Sequence, residues 1–131
     1  MVLMETRKVF VVDDDASICR ALKCLLLTYG FEVETYLSGQ AFFNAVAEDA
    51  PGCLVLDINM PGLDGWEVQH RLELAGSQRQ VIVITADKDE GFKLRAMEVG
   101  AAGFLQKPFN DDELVGLINQ SFEIGKKTVD S

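Results

Sequence analysis

The sequence predicts an α/β protein, a doubly wound (βα)5 unit built on a parallel five-stranded sheet in the order 2-1-3-4-5. Three observations carry that reading. Continuous aliphatic runs at Val9–Val12, Cys53–Leu56 and Val81–Ile84 have the pattern of strands buried on both faces, which helices must then cover. Helical periodicities fall between these runs, and strands that alternate with helices pair in parallel through right-handed crossovers. The run Phe31–Tyr36 instead alternates apolar residues with Glu32 and Glu34, as suits a sheet border guarded by charge. With that second strand outermost, 2-1-3-4-5 is the natural order.

The elements follow along the chain. Val9–Val12 runs directly into three carboxylates, Asp13, Asp14 and Asp15. Ile18, Leu22, Leu25, Leu26 and Tyr29 then recur at helical spacing, and Gly30 stands where a glycine ends a helix. After the charged strand, Phe42, Ala45 and Val46 repeat the helical signal, and the third strand, Cys53–Leu56, ends in Asp57. Asp64 is a good N-cap for a helix with the stripe Val68, Leu72 and Ala75, closed by Gly76. Trp66 and His70 fall opposite that stripe and are expected at the surface. Val81–Ile84 leads to Thr85, and the next helix is expected to bury Phe92, Ala96 and Val99 while turning Leu94 and Met97 outward, before Gly100. Ala102–Leu105 forms a second edge strand ahead of "QKPF", and Asn110 caps a last helix with Leu114, Ile118 and Phe122 inside. One domain is expected over residues 1–131, its core at about 8–125, with 126–131 a short polar tail.

Composition narrows the function. A net charge of −9, from 21 acids against 12 bases, is opposite to the clustered basic surface that nucleic acid requires, so no direct nucleic-acid binding is expected. Apolar runs fall far short of a membrane span, and the N-terminus lacks a signal-peptide core, so no membrane role and a cytoplasmic location are expected. Three cysteines and one histidine argue against a disulfide framework and a zinc site. Cys19 and Cys53 are expected in the core, and Cys24 nearer solvent.

In open parallel sheets, sites form beyond the carboxyl ends of the strands, near the switch point between strands 1 and 3. Here strand 1 delivers Asp13 and Asp14, strand 3 Asp57, strand 4 Thr85, and strand 5 Lys107 before Pro108. An acid at one such turn is often only a helix cap. Convergence from four strands is a site. Two carboxylates about 4 Å apart repel by roughly 4 kcal/mol at an effective dielectric near 20, so this crowding calls for a cation. Oxygen ligands without histidine or cysteine suit Mg²⁺. A carboxylate beside Mg²⁺, an ammonium and a hydroxyl is equipped to attack phosphorus.

The stretches "VVDDD", "LVLDINMPGLDG", "VIVITA" and "GFLQKPF", in this order and spacing, closely resemble the receiver domain of bacterial two-component response regulators, CheY-like and flavodoxin-like in fold. The resemblance runs from about Lys8 to Gly125. It implies that Asp57 is the phosphoacceptor and that Asp13, Asp14, Asp57 and the backbone carbonyl of Asn59 hold Mg²⁺. By the same resemblance Lys107 pairs with the phosphoryl group, Thr85 moves onto it, Ala86 offers a backbone N–H, and Phe104 is the aromatic switch. Asn59 and Asp87 stand where the family tunes water access. The implied partners are a sensor histidine kinase or phosphotransfer protein upstream, and a target or second copy docking on helix 4, strand 5 and helix 5. The domain would modify itself and turn over no external substrate. The five signature positions all match, while Asp15 has no family role and reads as a cap of the first helix.

Two rival classes fit less well. A phosphatase of the haloacid-dehalogenase type would use "DDDAS" as its Asp-x-Asp-x-Thr motif, but it places its lysine before a final acidic pair and would leave Asp57 without a role. A nucleotide or flavin binder would set glycines and hydroxyls, not carboxylates, around its phosphate.

Overall fold

A computed structural model describes residues 7–59, 65–75, 79–88 and 90–130. Strands β1 (Lys8–Val12), β2 (Glu32–Tyr36), β3 (Cys53–Asp57), β4 (Val81–Thr85) and β5 (Gly103–Gln106) alternate with helices α1 (Ala16–Thr28), α2 (Gly39–Ala45), α3 (Gly65–Leu74), α4 (Glu90–Glu98) and α5 (Asp111–Asp130). The order is β2-β1-β3-β4-β5, with every neighbouring pair parallel. The predicted topology therefore holds, with β5 one residue later than its apolar run suggested. β3 and β4 are buried at every residue. On the edge strand β2, Glu34 is held by Lys8 of β1 at 2.7 Å.

Alternation along the strands divides the core into two layers. Val9, Val11, Val55, Ile82 and Ile84 face Leu22 and Leu26 of α1 and Leu114 and Ile118 of α5. Phe10, Val12, Leu54, Leu56 and Val83 face Phe42 of α2, Val68 and Leu72 of α3, and Ala96 of α4. Each buried valine, leucine, isoleucine or phenylalanine among these contributes about 1.5–3 kcal/mol of apolar burial. Cys19 and Cys53 are buried and Cys24 is exposed, as expected, and all three are free thiols.

Local signals set the helix ends. Asp15 caps α1, accepting from the Ser17 and Ile18 amides at 2.9 and 3.4 Å and from the Ser17 hydroxyl at 2.7 Å. That hydroxyl, then the two amides, hold the Asp15 carboxyl below the ordinary aspartate range. Asn110 caps α5 through the Glu113 amide at 2.9 Å, and Ser38 caps α2 through that of Ala41 at 3.1 Å. Gly30 and Gly100 leave α1 and α4 with φ of 88° and 87°, the left-handed exit that glycine takes without strain. Asp64 and Gly76 lie outside the described residues.

Several side chains depart from their predicted faces. Tyr29 is the C-cap of α1, and Ala45 and Ala75 sit where α2 and α3 end, all three exposed. Val99 is 41% exposed because α4 stops at Glu98, so the helical period no longer governs it. Trp66 is half-buried, not solvent-facing, with its ring 6.0 Å from that of Phe92 and the Arg95 guanidinium 4.1 Å above it. A neighbouring helix, invisible to the period of α3 alone, covers it. His70 is exposed as expected. The expected tail is helical to Asp130: Gly125 does not stop α5, since an interior glycine costs only about 1 kcal/mol.

Gly116 is an exposed glycine inside α5 where an added Cβ would meet nothing within 4 Å. Gly116→Ala is expected to stabilise the protein by about 0.5–1 kcal/mol, by restricting the unfolded chain and improving helix propensity. Urea unfolding checks this, and a lowered midpoint would contradict the open space at that position.

Candidate functional site

The carboxyl ends of β1, β3, β4 and β5 converge as predicted. Asp13 follows β1 and is fully buried, Asp57 ends β3 at 4% exposure, and Asp14 stands exposed beside them. These three carboxylates present oxygens all within 4.8 Å of one another. Lys107, following β5, reaches into the group, its Nζ 2.7 Å from Asp13 Oδ2 and 3.6 Å from Asp57 Oδ2. Its backbone N–H donates to the Thr85 carbonyl at 2.7 Å, which ties the lysine to the end of β4.

The backbone completes the arrangement. The Asp15 amide donates to Asp13 Oδ1 at 2.9 Å, and the Asn59 amide to Asp57 Oδ1 at 3.0 Å. Asp57 therefore has one oxygen turned to the loop after β3 and the other toward Lys107. Burial, offset in part by the Asn59 N–H and reinforced by the charge of Asp13, pushes the Asp57 carboxyl up to about 6. For Lys107, burial disfavours the ammonium, but the hydrogen bond and charge of Asp13, with Asp57, outweigh it and raise its pKa. Three carboxylates against one ammonium leave two negative charges, which a divalent cation would cancel. An all-oxygen donor set of this size suits a hard ion such as Mg²⁺, with Asp13, Asp14 and Asp57 as the available ligands.

Thr85 ends β4 with no exposed surface. Its Oγ1 accepts from the Asn59 side-chain amide at 3.2 Å and from the Asp87 backbone N–H at 3.0 Å. Ala86 follows it, exposed at the rim. Val83 pairs with Phe104 and Thr85 with Gln106, so Phe104 flanks β4 two residues back from Thr85 on the same face. Phe104 is half-buried against the layer of α2, α3 and α4. Every site residue singled out in the sequence thus lies at this rim or on the strand beside it.

Two contributions escaped the sequence reading. The Asn59 side chain, expected there only to tune water access, also bridges the loop after β3 to Thr85. Gly65, the first residue of α3, is so close to β3 that an added Cβ would lie 2.4 Å from Ile58 Cα and 2.8 Å from the Asp57 carbonyl oxygen. The signal was present in "LDG", where the glycine opens a helix rather than ending one.

Acid pair, strand-end aspartate, hydroxyl and lysine, set on this sheet, define a receiver of the two-component type. The chain belongs to that family: residues 9–119 match the response regulator receiver domain. Among individual proteins, it is 35% identical over 116 residues to the response regulator protein TodT of Pseudomonas putida, covering 88% of this chain and 51% of TodT. It is 38% identical over 113 residues to the transcriptional regulatory protein FixJ of Bradyrhizobium diazoefficiens, covering 86% of this chain and 55% of FixJ. The chain thus spans about half the length of these curated relatives. Among solved structures, response regulator StyR superposes with a TM-score of 0.88 at 38% identity, covering 96% of this chain and 64% of that one. FixJ-N superposes at 0.81 and 32% identity, covering 92% of this chain and 96% of that one. The described residues contain no helix long and apolar enough to cross a membrane.

Proposed function

We propose that residues 1–131 form one cytoplasmic receiver that accepts a phosphoryl group on Asp57 and thereby switches the binding of a partner. The observation that carries this is the setting of Asp57: a buried strand-end carboxylate with two further acids within 4.8 Å and an ammonium at 3.6 Å. An Asp57 oxygen attacks phosphorus in a phosphohistidine of a sensor kinase or phosphotransfer protein. The P–O bond forms as the P–N bond breaks, and the imidazole leaves. Asp13, Asp14, Asp57 and the Asn59 carbonyl would hold Mg²⁺, which when bound neutralises charge on the phosphoryl oxygens. Lys107 supplies the fixed positive charge on the other side. The protein catalyses only its own phosphorylation and dephosphorylation.

Acetyl phosphate, a small acyl-phosphate donor, tests this directly. Incubation with Mg²⁺ is expected to place one phosphoryl group on Asp57, and chelation to abolish the modification. A label on Asp13, or uptake independent of divalent cation, would overturn the assignment.

The switch would run through Thr85. On phosphorylation its hydroxyl turns from Asn59 and the Asp87 amide toward the phosphoryl oxygens, joined by the Ala86 N–H, and Phe104 moves inward into the space released. Completing the burial of a half-buried phenylalanine is worth roughly 1–2 kcal/mol, enough for about a tenfold shift in population. The surface that would read it carries Leu94 and Met97 on α4, 64% and 50% exposed, beside β5 and α5. Leu94→Glu and Met97→Glu are expected to abolish phosphorylation-dependent dimerisation or target binding and leave Asp57 labelling intact. Sedimentation of the phosphorylated variants measures this, and association equal to the parent's places the output surface elsewhere.

A further inference from the structure

Asn59 holds two groups of the rim at once. Its main-chain N–H donates to Asp57 Oδ1 at 3.0 Å, while its side-chain amide donates to Thr85 Oγ1 at 3.2 Å. The sheet puts it there: the Ile58 N–H donates to the Ile84 carbonyl at 3.2 Å, which carries the β3–β4 ladder one residue past β3 and keeps the next residue beside Thr85. The Asp87 N–H is a second donor to the same hydroxyl oxygen at 3.0 Å, and the Asp87 carbonyl accepts from Gln106 Nε2 of β5 at 3.4 Å. A run of hydrogen bonds thus joins the loop after β3, the end of β4 and β5 through one hydroxyl.

The two ends of the Asn59 bond differ in burial. Thr85 has no exposed surface, whereas Asn59 and Asp87 are exposed. When the hydroxyl turns away, the Asn59 amide and the Asp87 N–H pass to water, but a buried hydroxyl that gives up both donors needs a new partner. Without one, Thr85 stays where it is. A neutral hydrogen bond whose donor can return to water is worth about two- to tenfold in an equilibrium constant. That is comparable with the bias of about tenfold gained when Phe104 is buried. The bond is strong enough to set the threshold of the switch and weak enough to be broken by it.

We propose that Asn59 is a positioning residue whose side chain latches Thr85 in the unphosphorylated protein, so that a phosphoryl group on Asp57 must win the hydroxyl from Asn59. This rests on the reading of Asp57 as the phosphoacceptor. The latch acts on the hydroxyl and is separate from any effect of the same side chain on water at the phosphoryl group. Because it exists only in the resting state, its removal raises the apparent affinity for a phosphoryl group by the factor with which it favoured rest. A side chain that merely supported the loop would do the opposite when removed. Asn59→Ala keeps the main-chain N–H on Asp57 and the main-chain carbonyl, and deletes only the bond to Thr85.

Beryllofluoride with Mg²⁺ is the probe, a phosphoryl analogue that binds a carboxylate reversibly and is blind to an attacking water. It is titrated calorimetrically into the full chain and its variants. Asn59→Ala is expected to bind it about fivefold more tightly than the parent does. In Thr85→Val, which has the shape of threonine without the hydroxyl, adding Asn59→Ala is expected to change the affinity by less than about twofold. In Thr85→Ser, which keeps the hydroxyl, the difference of about fivefold is expected to return. Urea unfolding without Mg²⁺ or beryllofluoride reads the latch at rest: Asn59→Ala is expected to raise the unfolding constant about fivefold more in the parent than in Thr85→Val. Binding by Asn59→Ala no tighter than the parent's, or a gain that persists in Thr85→Val, overturns the competition. Additive unfolding constants overturn the latch itself. A parent that binds no beryllofluoride overturns the reading of Asp57 and the competition with it, an outcome told apart from a failed latch by intact coupling in urea.

Discussion

Asp57→Asn is expected to make the metal-free protein more stable at pH 8, by roughly 2–3 kcal/mol or about 10 °C in melting temperature, while ending phosphoryl uptake. The reason is the cost of holding a third charge in the rim. Asp57 is buried and its carboxyl is pushed up to about 6 from 3.8, first by burial and then, against the Asn59 N–H, by Asp13. A carboxyl whose pKa is raised on folding binds its proton more tightly in the folded state. Stability therefore falls as pH rises between about 4 and 6, and the full cost is borne above that window. Asparagine has nearly the same shape and no charge, so it removes the cost. The advantage of the variant should shrink through the same window and vanish below pH 4, where the parent carboxyl is protonated in both states. Mg²⁺ should narrow the gap at pH 8 by stabilising the parent more than the variant. Thermal melts of both proteins from pH 3 to 8, with and without Mg²⁺, measure every part of this. A variant less stable than the parent in metal-free buffer at pH 8 would show that Asp57 is favourably paired, not crowded.

The same crowding explains why so much of the molecule was legible in its sequence. A folded chain does not keep Asp13, Asp14 and Asp57 at the ends of adjacent buried strands without a compensating charge, and Lys107 is legible in the sequence as that charge. The buried strands were equally plain, because residues covered on both faces admit no polar position, and Val81–Ile84 contains none. What stayed hidden depended on tertiary contact. Trp66 looked solvent-facing from the period of its own helix, since the cover comes from Phe92 and Arg95 on another. Val99 continued an apolar period past the point where the helix ends. The Asn59 amide on Thr85 spans 26 positions of sequence, and a polar side chain in a loop carries no mark of its partner.

Gly65→Ala is expected to be the most damaging single-methyl change in the site, lowering stability by about 3 kcal/mol and phosphoryl uptake by at least about tenfold. α3 starts against the end of β3: the Gly65 N–H donates to the Ile58 carbonyl at 3.4 Å, and there is no room between the two backbones for a side chain. The new Cβ would sit 2.4 Å from Ile58 Cα and 2.8 Å from both the Asp57 carbonyl oxygen and Ile58 Cγ2. Two of those three atoms are main chain and cannot turn aside by changing a rotamer. Either α3 lifts away, uncovering Val68 and Leu72, or the end of β3 moves and carries Asp57 with it relative to Asp13 and Lys107. The first route costs burial. The second costs alignment, and a displacement of about 1 Å at a reacting atom is enough for a hundredfold loss. Gly103→Ala supplies the comparison, because there the three atoms nearest the added Cβ all belong to the Leu117 side chain, the closest Cδ1 at 2.9 Å, and the leucine can rotate. Gly103→Ala is therefore expected to lose no more than about 1 kcal/mol and to label Asp57 at the parent's rate. Urea unfolding and acetyl phosphate labelling of the two variants side by side separate these outcomes. If Gly65→Ala behaves like Gly103→Ala in both, the contact of α3 with the strand end yields easily and does not position Asp57.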